Sequence, residues 1–147
     1  MRFVRTVLMA AVLLAAAAAQ AYTEVLRIGL AAEPTSMDPH FHNLTPNNGM
    51  LSHVFERLVE TDPKNKLIPG LAEGWRSISD TVWEFKLRKG VKWHDGTPFT
   101  ADDVIFTFER APDVPNSPAS FASVVKGKTV KKIDDHTIRI STPAPHP

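Results

Sequence analysis

Two groups of residues in this 147-residue chain carry side chains capable of chemistry. The first is Asp38-Pro39-His40-Phe41-His42, with His53 further along, whose imidazoles and carboxylate are donor types that zinc or nickel accept. Such a metal needs three or four donors converging at ~2 Å and a second shell to orient them. A His-x-His pair in a proline-rich stretch fixes neither. The second group is His94-Asp95, a conceivable acid–base pair. Adjacent residues diverge, however, no nucleophile motif accompanies them, and Asp95-Gly96 is already suited to a turn. Cysteine is absent, so no thiol nucleophile exists. The expectation is therefore no catalytic residue, no metal and no cofactor, with a metal-binding protein or metallohydrolase as the competing alternative.

The elements that must position these residues come from periodicity. Val82-Trp83-Glu84-Phe85-Lys86-Leu87 alternates with a period of two, placing Trp83, Phe85 and Leu87 on one face of a strand and Val82, Glu84 and Lys86 on the other. Gly90 ends it. Val91-Lys92-Trp93 leads into a tight turn at Asp95-Gly96, and Thr100 with Asp103 predicts a capping box at the start of a helix over 101–110. Ala101, Val104, Ile105 and Phe108 form its buried stripe; Phe106 lies off it and needs a second cover. Further on, 129–133 and 137–141 alternate around a turn at Asp134-Asp135-His136 and predict a hairpin.

Upstream, 24–30 is apolar and β-branched, as in a central strand covered on both faces. Residues 32–46 hold three prolines and no period, which suits an extended loop at that strand's end. From Asn47 to Glu60 the pattern turns helical, with Asn47 or Asn48 as cap, and 67–75 reads as a compact connection. Residues 111–120 are a proline-rich connector; Phe121 follows as the large apolar residue beside it. Trp75, Trp83 and Trp93 are close enough in sequence to form a ligand platform, but aromatic burial and strand periodicity favour core packing.

The first residues stand apart. Arg2 and Arg5 precede an apolar run from Val7 to Ala18, and Ala19-Gln20-Ala21 has small residues where a signal peptidase reads, so residues 1–21 are expected to be a cleaved signal peptide rather than an anchor. Without them, 15 basic side chains face 16 acidic ones, and no basic footprint for nucleic acid remains. The cluster Lys126, Lys128, Lys131, Lys132 suits a solvated sheet edge. Lack of cysteine excludes both a disulfide scaffold and a lipid-bearing cysteine after the signal, so a soluble, exported chain that is not a lipoprotein is expected.

Several segments together resemble the family 5 solute-binding proteins of bacterial ABC importers. They are Ser36-Met37-Asp38-Pro39-His40; Pro69-Gly70-Leu71-Ala72-Glu73-Gly74-Trp75; Trp83-Glu84-Phe85-Lys86-Leu87-Arg88; the run Val91 to Val104; and the late strand with Thr142-Pro143-Ala144-Pro145. The resemblance implies an α/β fold: part of the first lobe of a two-lobed periplasmic binding protein, a mixed sheet with packed helices, in which 22–147 is the truncated N-terminal part of the family domain. It implies a periplasmic, monomeric receptor that captures a peptide or similar small solute and delivers it to an ABC permease in the inner membrane. A fragment of it is not expected to bind solute well alone. It also nominates Asn43, Leu44 and Thr45 in the loop after His40, and Phe121, as ligand contacts.

Overall fold

The computed structural model describes residues 25–118 and 121–145. The proposed signal segment, 1–21, and its cleavage point lie outside the described residues. The chain forms α1 (Thr45–Leu51), β1 (Val59–Thr61), β2 (Leu67–Pro69), β3 (Ala72–Ser79), β4 (Val82–Leu87), α2 (Ala101–Arg110), a 3-10 turn (Ala111–Asp113), the short α3 (Ala122–Val125), β5 (Thr129–Asp134) and β6 (Thr137–Ser141). β1 and β2 make a small hairpin, and the other strands make one sheet in the order β3-β4-β6-β5. All pairings among the described residues are antiparallel.

The sheet has two contrasting faces, set by the strand alternation. On one face Phe85 and Leu87 of β4 adjoin Ile138 and Ile140 of β6, and α2 lies over them through Ala101 and Val104, with Phe99 completing the buried cluster. Leu87, Ile138 and Ala101 are essentially inaccessible to water. Lys132 stitches helix to hairpin, its ammonium 2.7 Å from Asp102 and 2.8 Å from Asp135. On the opposite face Glu84 pairs in register with Arg76 on β3 and Arg139 on β6. The two guanidiniums approach its carboxylate at 2.6 Å and 2.9 Å, first Arg76 and then Arg139 holding it below its usual pKa.

The predicted strand at 82–87, the helix at 101–110 and the 129–141 hairpin are present. Helix α2 begins with the Thr100–Asp103 capping box: the Thr100 amide donates to Asp103 Oδ2 at 2.7 Å. At Asp95-Gly96 the carboxylate accepts from the Thr97 amide at 2.9 Å, and Gly96 takes φ +88°, a left-handed conformation that favours glycine.

Other expectations are corrected. Val25–Leu30 is not a strand; it pairs with none of the sheet's strands and is solvent-exposed, Leu26 at 83%. β-branched composition makes a strand only where a neighbouring strand supplies hydrogen bonds. The helix expected over 47–60 stops at Leu51; Val59 and Glu60 lie instead in β1, paired with Pro69 and Ile68, and ahead of them stand the carbonyls of Arg57 and Leu58. They accept from the amides of Leu71 and Ala72 at 2.8 and 2.9 Å, which draws this stretch into sheet-like bonding. Gly70 sits at that crossing, where an added Cβ would meet the Arg57 carbonyl oxygen at 2.3 Å. The segment 67–75, expected as a connection, instead supplies β2 and the start of β3. None of the three tryptophans is in the buried core: Trp75 and Trp83 are half-buried and Trp93 is exposed. Glu84, placed by alternation on the outward face, is nonetheless buried there because two arginine side chains lie over it. Phe106 is 60% exposed, with no second cover among the described residues.

These contacts make two substitutions informative. Leu87→Ala should lower unfolding free energy by about 2–5 kcal/mol, as for a large-to-small change in a core, whereas Phe106→Ala should stay within about 0.5 kcal/mol. Gly70→Ala should cost about 1–3 kcal/mol, because the new methyl meets backbone that cannot swing away. Urea denaturation followed by circular dichroism measures all three.

Candidate functional site

One large concavity opens beside α2. It has a volume of about 1030 Å³ and runs between α1, the loop before it, the sheet's apolar face and α2. Leu51, Phe85, Phe99, Val104 and Phe108 give it an apolar wall, while Phe121 and Val124 approach from α3 and its preceding residue. Trp93 also lines it. The indole N–H donates to Asp103 Oδ1 at 3.2 Å and the ring meets Phe99 edge-on, with centroids 6.1 Å apart. Asp103 therefore serves twice, capping the helix and anchoring the tryptophan.

The polar end of the cavity is built by Asp38, His40 and Arg110. Arg110, in the last turn of α2, reaches back across 72 residues and grips Asp38 with both arms of its guanidinium, Nη1 donating to Oδ1 at 2.9 Å and Nη2 to Oδ2. Such two-point contacts fix direction as well as distance. Asp38 Oδ1 also accepts the His40 amide at 2.9 Å, an Asx turn that folds the loop back on itself. Arg110 Nη1 stands 2.8 Å from His40 Nδ1. A guanidinium has only donors, so Nδ1 is the acceptor and His40 is neutral with its proton on Nε2.

These contacts lower the titrations of Asp38 and His40 and raise that of Arg110. The Arg110 hydrogen bond holds the Asp38 carboxyl at about 2, and the same pairing raises Arg110. Burial, and then the charge of Arg110, push the His40 imidazole below its ordinary value.

Two further ties secure the loop. Ser117 Oγ donates to the Phe41 carbonyl at 2.6 Å, and the fully buried Asn47 of α1 donates to Thr35 Oγ1 at 3.2 Å and to the Ser36 carbonyl at 3.3 Å while accepting the Thr35 amide. Asn47, expected as a helix cap, is committed to the loop; Leu44 holds the N-cap position instead, without a side-chain bond.

Among the nominated contact residues, Phe121 lines the cavity. Asn43, Leu44 and Thr45 lie on the exposed surface at the start of α1, outside the cavity lining, with Asn43 Oδ1 accepting from Asn48 Nδ2 at 3.1 Å. Arg110 was not singled out by sequence reasoning. Its one local signal was a cation in the last turn of a helix, where the dipole favours it; its partner is too distant in sequence to be inferred.

The metal alternative gains nothing from this geometry. His40 Nδ1 faces Arg110 and His42 Nδ1 faces Thr35 Oγ1 at 2.9 Å, so the two rings serve different partners. Among the described residues no group of three or more His, Cys, Asp or Glu side chains is placed to hold a metal ion. His94 and Asp95 are exposed, and the Asp95 carboxylate is occupied with Thr97.

Comparison with known proteins decides the family. Residues 66–147 match the bacterial extracellular solute-binding proteins, family 5 Middle. The chain belongs to this family. The periplasmic oligopeptide-binding protein OppA of Escherichia coli is 35% identical over 134 residues, covering 79% of this chain and 24% of that protein. Among solved structures, the E. coli murein tripeptide-binding protein MppA superposes with a TM-score of 0.72 at 31% identity, covering 80% of this chain and 26% of that one. Haemophilus influenzae OppA in complex with RPPGFSPFR gives a TM-score of 0.69 at 35% identity, covering 79% and 26%. The α/β fold of this chain is thus that of a part of a periplasmic binding protein, and the chain spans about a quarter of the length of these relatives. Members of the family are substrate-binding components of transporters rather than enzymes.

The clamp makes acid stability a direct readout. Asp38 titrates below its unfolded value of 3.8, so its contribution is complete above that pH and disappears as pH falls through about 2. His40 titrates below its unfolded value of 6.5, so the folded state loses ground as pH drops under 6.5, where the unfolded chain gains a proton first. Melting curves from pH 8 to pH 2 should therefore fall in two steps. His40→Gln should flatten the upper step and Asp38→Asn should reduce the lower one, to which Glu84 and other depressed carboxylates also contribute, the Asp38 change also lowering stability at pH 7.

Proposed function

We propose that this chain is part of the substrate-capturing component of an ABC importer, and that the solute is a peptide. The observation that carries the reading is the likeness, at 35% identity and TM-score 0.69, to a family member solved with RPPGFSPFR. An apolar cavity closed at one end by a fixed Asp–Arg–His group supports it, since small-molecule sites combine apolar walls with few, well-placed polar groups.

In this reading the receptor works in the periplasm as a monomer, reached through a cleaved signal peptide spanning 1–21 and without a lipid anchor. It binds rather than reacts, needs no cofactor, and passes its solute to an inner-membrane permease. Closure of two lobes over the solute is the mechanism, the bound solute stabilising the state that the permease recognises. Asn43, Leu44, Thr45 and Phe121 are the contact residues proposed on this chain. Phe121 offers an aromatic surface at the cavity, and Asn43 to Thr45 follow directly on the loop that Arg110 and Asn47 hold in place, at the start of α1.

The test uses the product of the whole open reading frame, whatever its length. A pool of di- to pentapeptides should raise its melting temperature, because a ligand that binds only the native state stabilises it by mass action; Phe121→Ala should reduce that rise at least threefold. No rise with any peptide pool, together with a rise on adding nickel or zinc that His40→Ala removes, would reverse the assignment.

A further inference from the structure

The apolar face of the sheet is covered by α2, but the opposite face has no covering element among the described residues. Across its middle runs one row of side chains in register on all four strands: Arg76 on β3, Glu84 on β4, Arg139 on β6 and Lys131 on β5. Lys86, two residues from Glu84, shares the face and is exposed. Four cations and two anions therefore share this sheet face, Glu84 at its centre and Asp134 at one edge beside Thr137, in a protein whose residues beyond the proposed signal segment carry slightly more acid than base.

The arrangement is ordered as well as positive. Glu84 is only 5% exposed, while the Arg76 side chain is 69% and that of Arg139 41% exposed. Arg76 uses Nε and Nη2 on Glu84 Oε1, and Arg139 uses Nε and Nη2 on Oε2. Glu84 thus pins two guanidiniums and leaves a further N–H edge of each toward solvent, in the planar form that recognises carboxylates two bonds at a time. Arg76 and Arg139 stand two strands apart, roughly 9–10 Å. Carboxylates at i and i+2 of an extended chain lie roughly 7 Å apart, within reach of the two side chains.

We infer that this open sheet face is a docking surface for an acidic polypeptide segment, with Arg76 and Arg139 as its oriented contacts and Lys86 and Lys131 as flanking charges. The inference does not depend on what the cavity binds. An anionic membrane is the weaker fit, because lipid recognition relies on dense clusters of mobile basic side chains. Here half of the cations are fixed, and an acid sits at their centre.

The probes are a fluorescently labelled peptide of alternating Glu and Ala, its Gln–Ala counterpart, and vesicles of phosphatidylglycerol, each titrated by anisotropy or co-sedimentation at low and high salt. The Glu–Ala peptide should bind, the Gln–Ala peptide should not, and raising salt from 20 to 200 mM should weaken binding at least fivefold. Arg76→Gln should weaken it at least fivefold. Lys86→Gln with Lys131→Gln, which leaves the Glu84 pairing untouched and keeps the proof independent of folding, should weaken it at least threefold with an unchanged melting curve. Absence of salt-sensitive binding to the acidic peptide, binding unaffected by the lysine pair, or equal binding to the vesicles would each overturn the assignment.

Discussion

The seating of helix α2 at Ala101 is the contact on which the rest depends. Ala101 has no exposed surface, and its amide donates to the Asp135 carbonyl in the β5–β6 turn at 2.9 Å. A larger side chain would hold the helix off that turn. Because the helix starts there, Asp103 falls where it can cap Thr100 and receive Trp93, Val104 falls on Leu87 and Ile138, and Arg110 ends up at the mouth of the cavity facing Asp38. One close approach at the first turn thereby sets the position of a guanidinium in the last, about 14 Å along a helix rising 1.5 Å per residue.

The loop over 35–42 has no regular structure of its own and is held by polar contacts from three directions. Asn47 holds its start, Arg110 its middle and Ser117 its end. Each of these bonds is modest singly, since folding exchanges them for bonds to water. Their joint effect is to remove the conformational freedom of an irregular segment at the edge of an apolar cavity. That is the usual way in which a rigid scaffold carries a binding loop.

The elements that were legible in the sequence are those whose partners are local. The capping box joins Thr100 to a residue three positions on, the Asp95 turn spans two, and the 129–141 hairpin closes through Asp134 and His136. Val82 to Leu87 was legible because its alternation is strict. What sequence could not supply were decisions made by distant backbone. The helical spacing of Met50 to Leu58 is real, yet Arg57 and Leu58 bond to Leu71 and Ala72 instead. The apolar run at 25–30 has strand composition but no strand beside it, and composition alone cannot provide one. For the site the division is the same. Asp38 and His40 stood out by residue type, and Phe121 was nominated by the family resemblance, while Arg110 became visible only when the fold brought 72 residues of separation to contact distance.

The two arginine–carboxylate groups also show that similar chemistry has different consequences in different surroundings. Around Glu84 two arginines share one carboxylate, so a net positive charge remains on an open face, and the buried acid serves to orient the cations over it. At Asp38 a single arginine meets a single carboxylate with both arms, the charges cancel, and Arg110 Nη1 is left to bond His40. The first group is therefore an attractive surface that salt will screen. The second is a neutral bracket whose value is geometric: protonation of His40 removes one acceptor from Arg110, while the two-point hold on Asp38 lasts until that carboxyl is protonated.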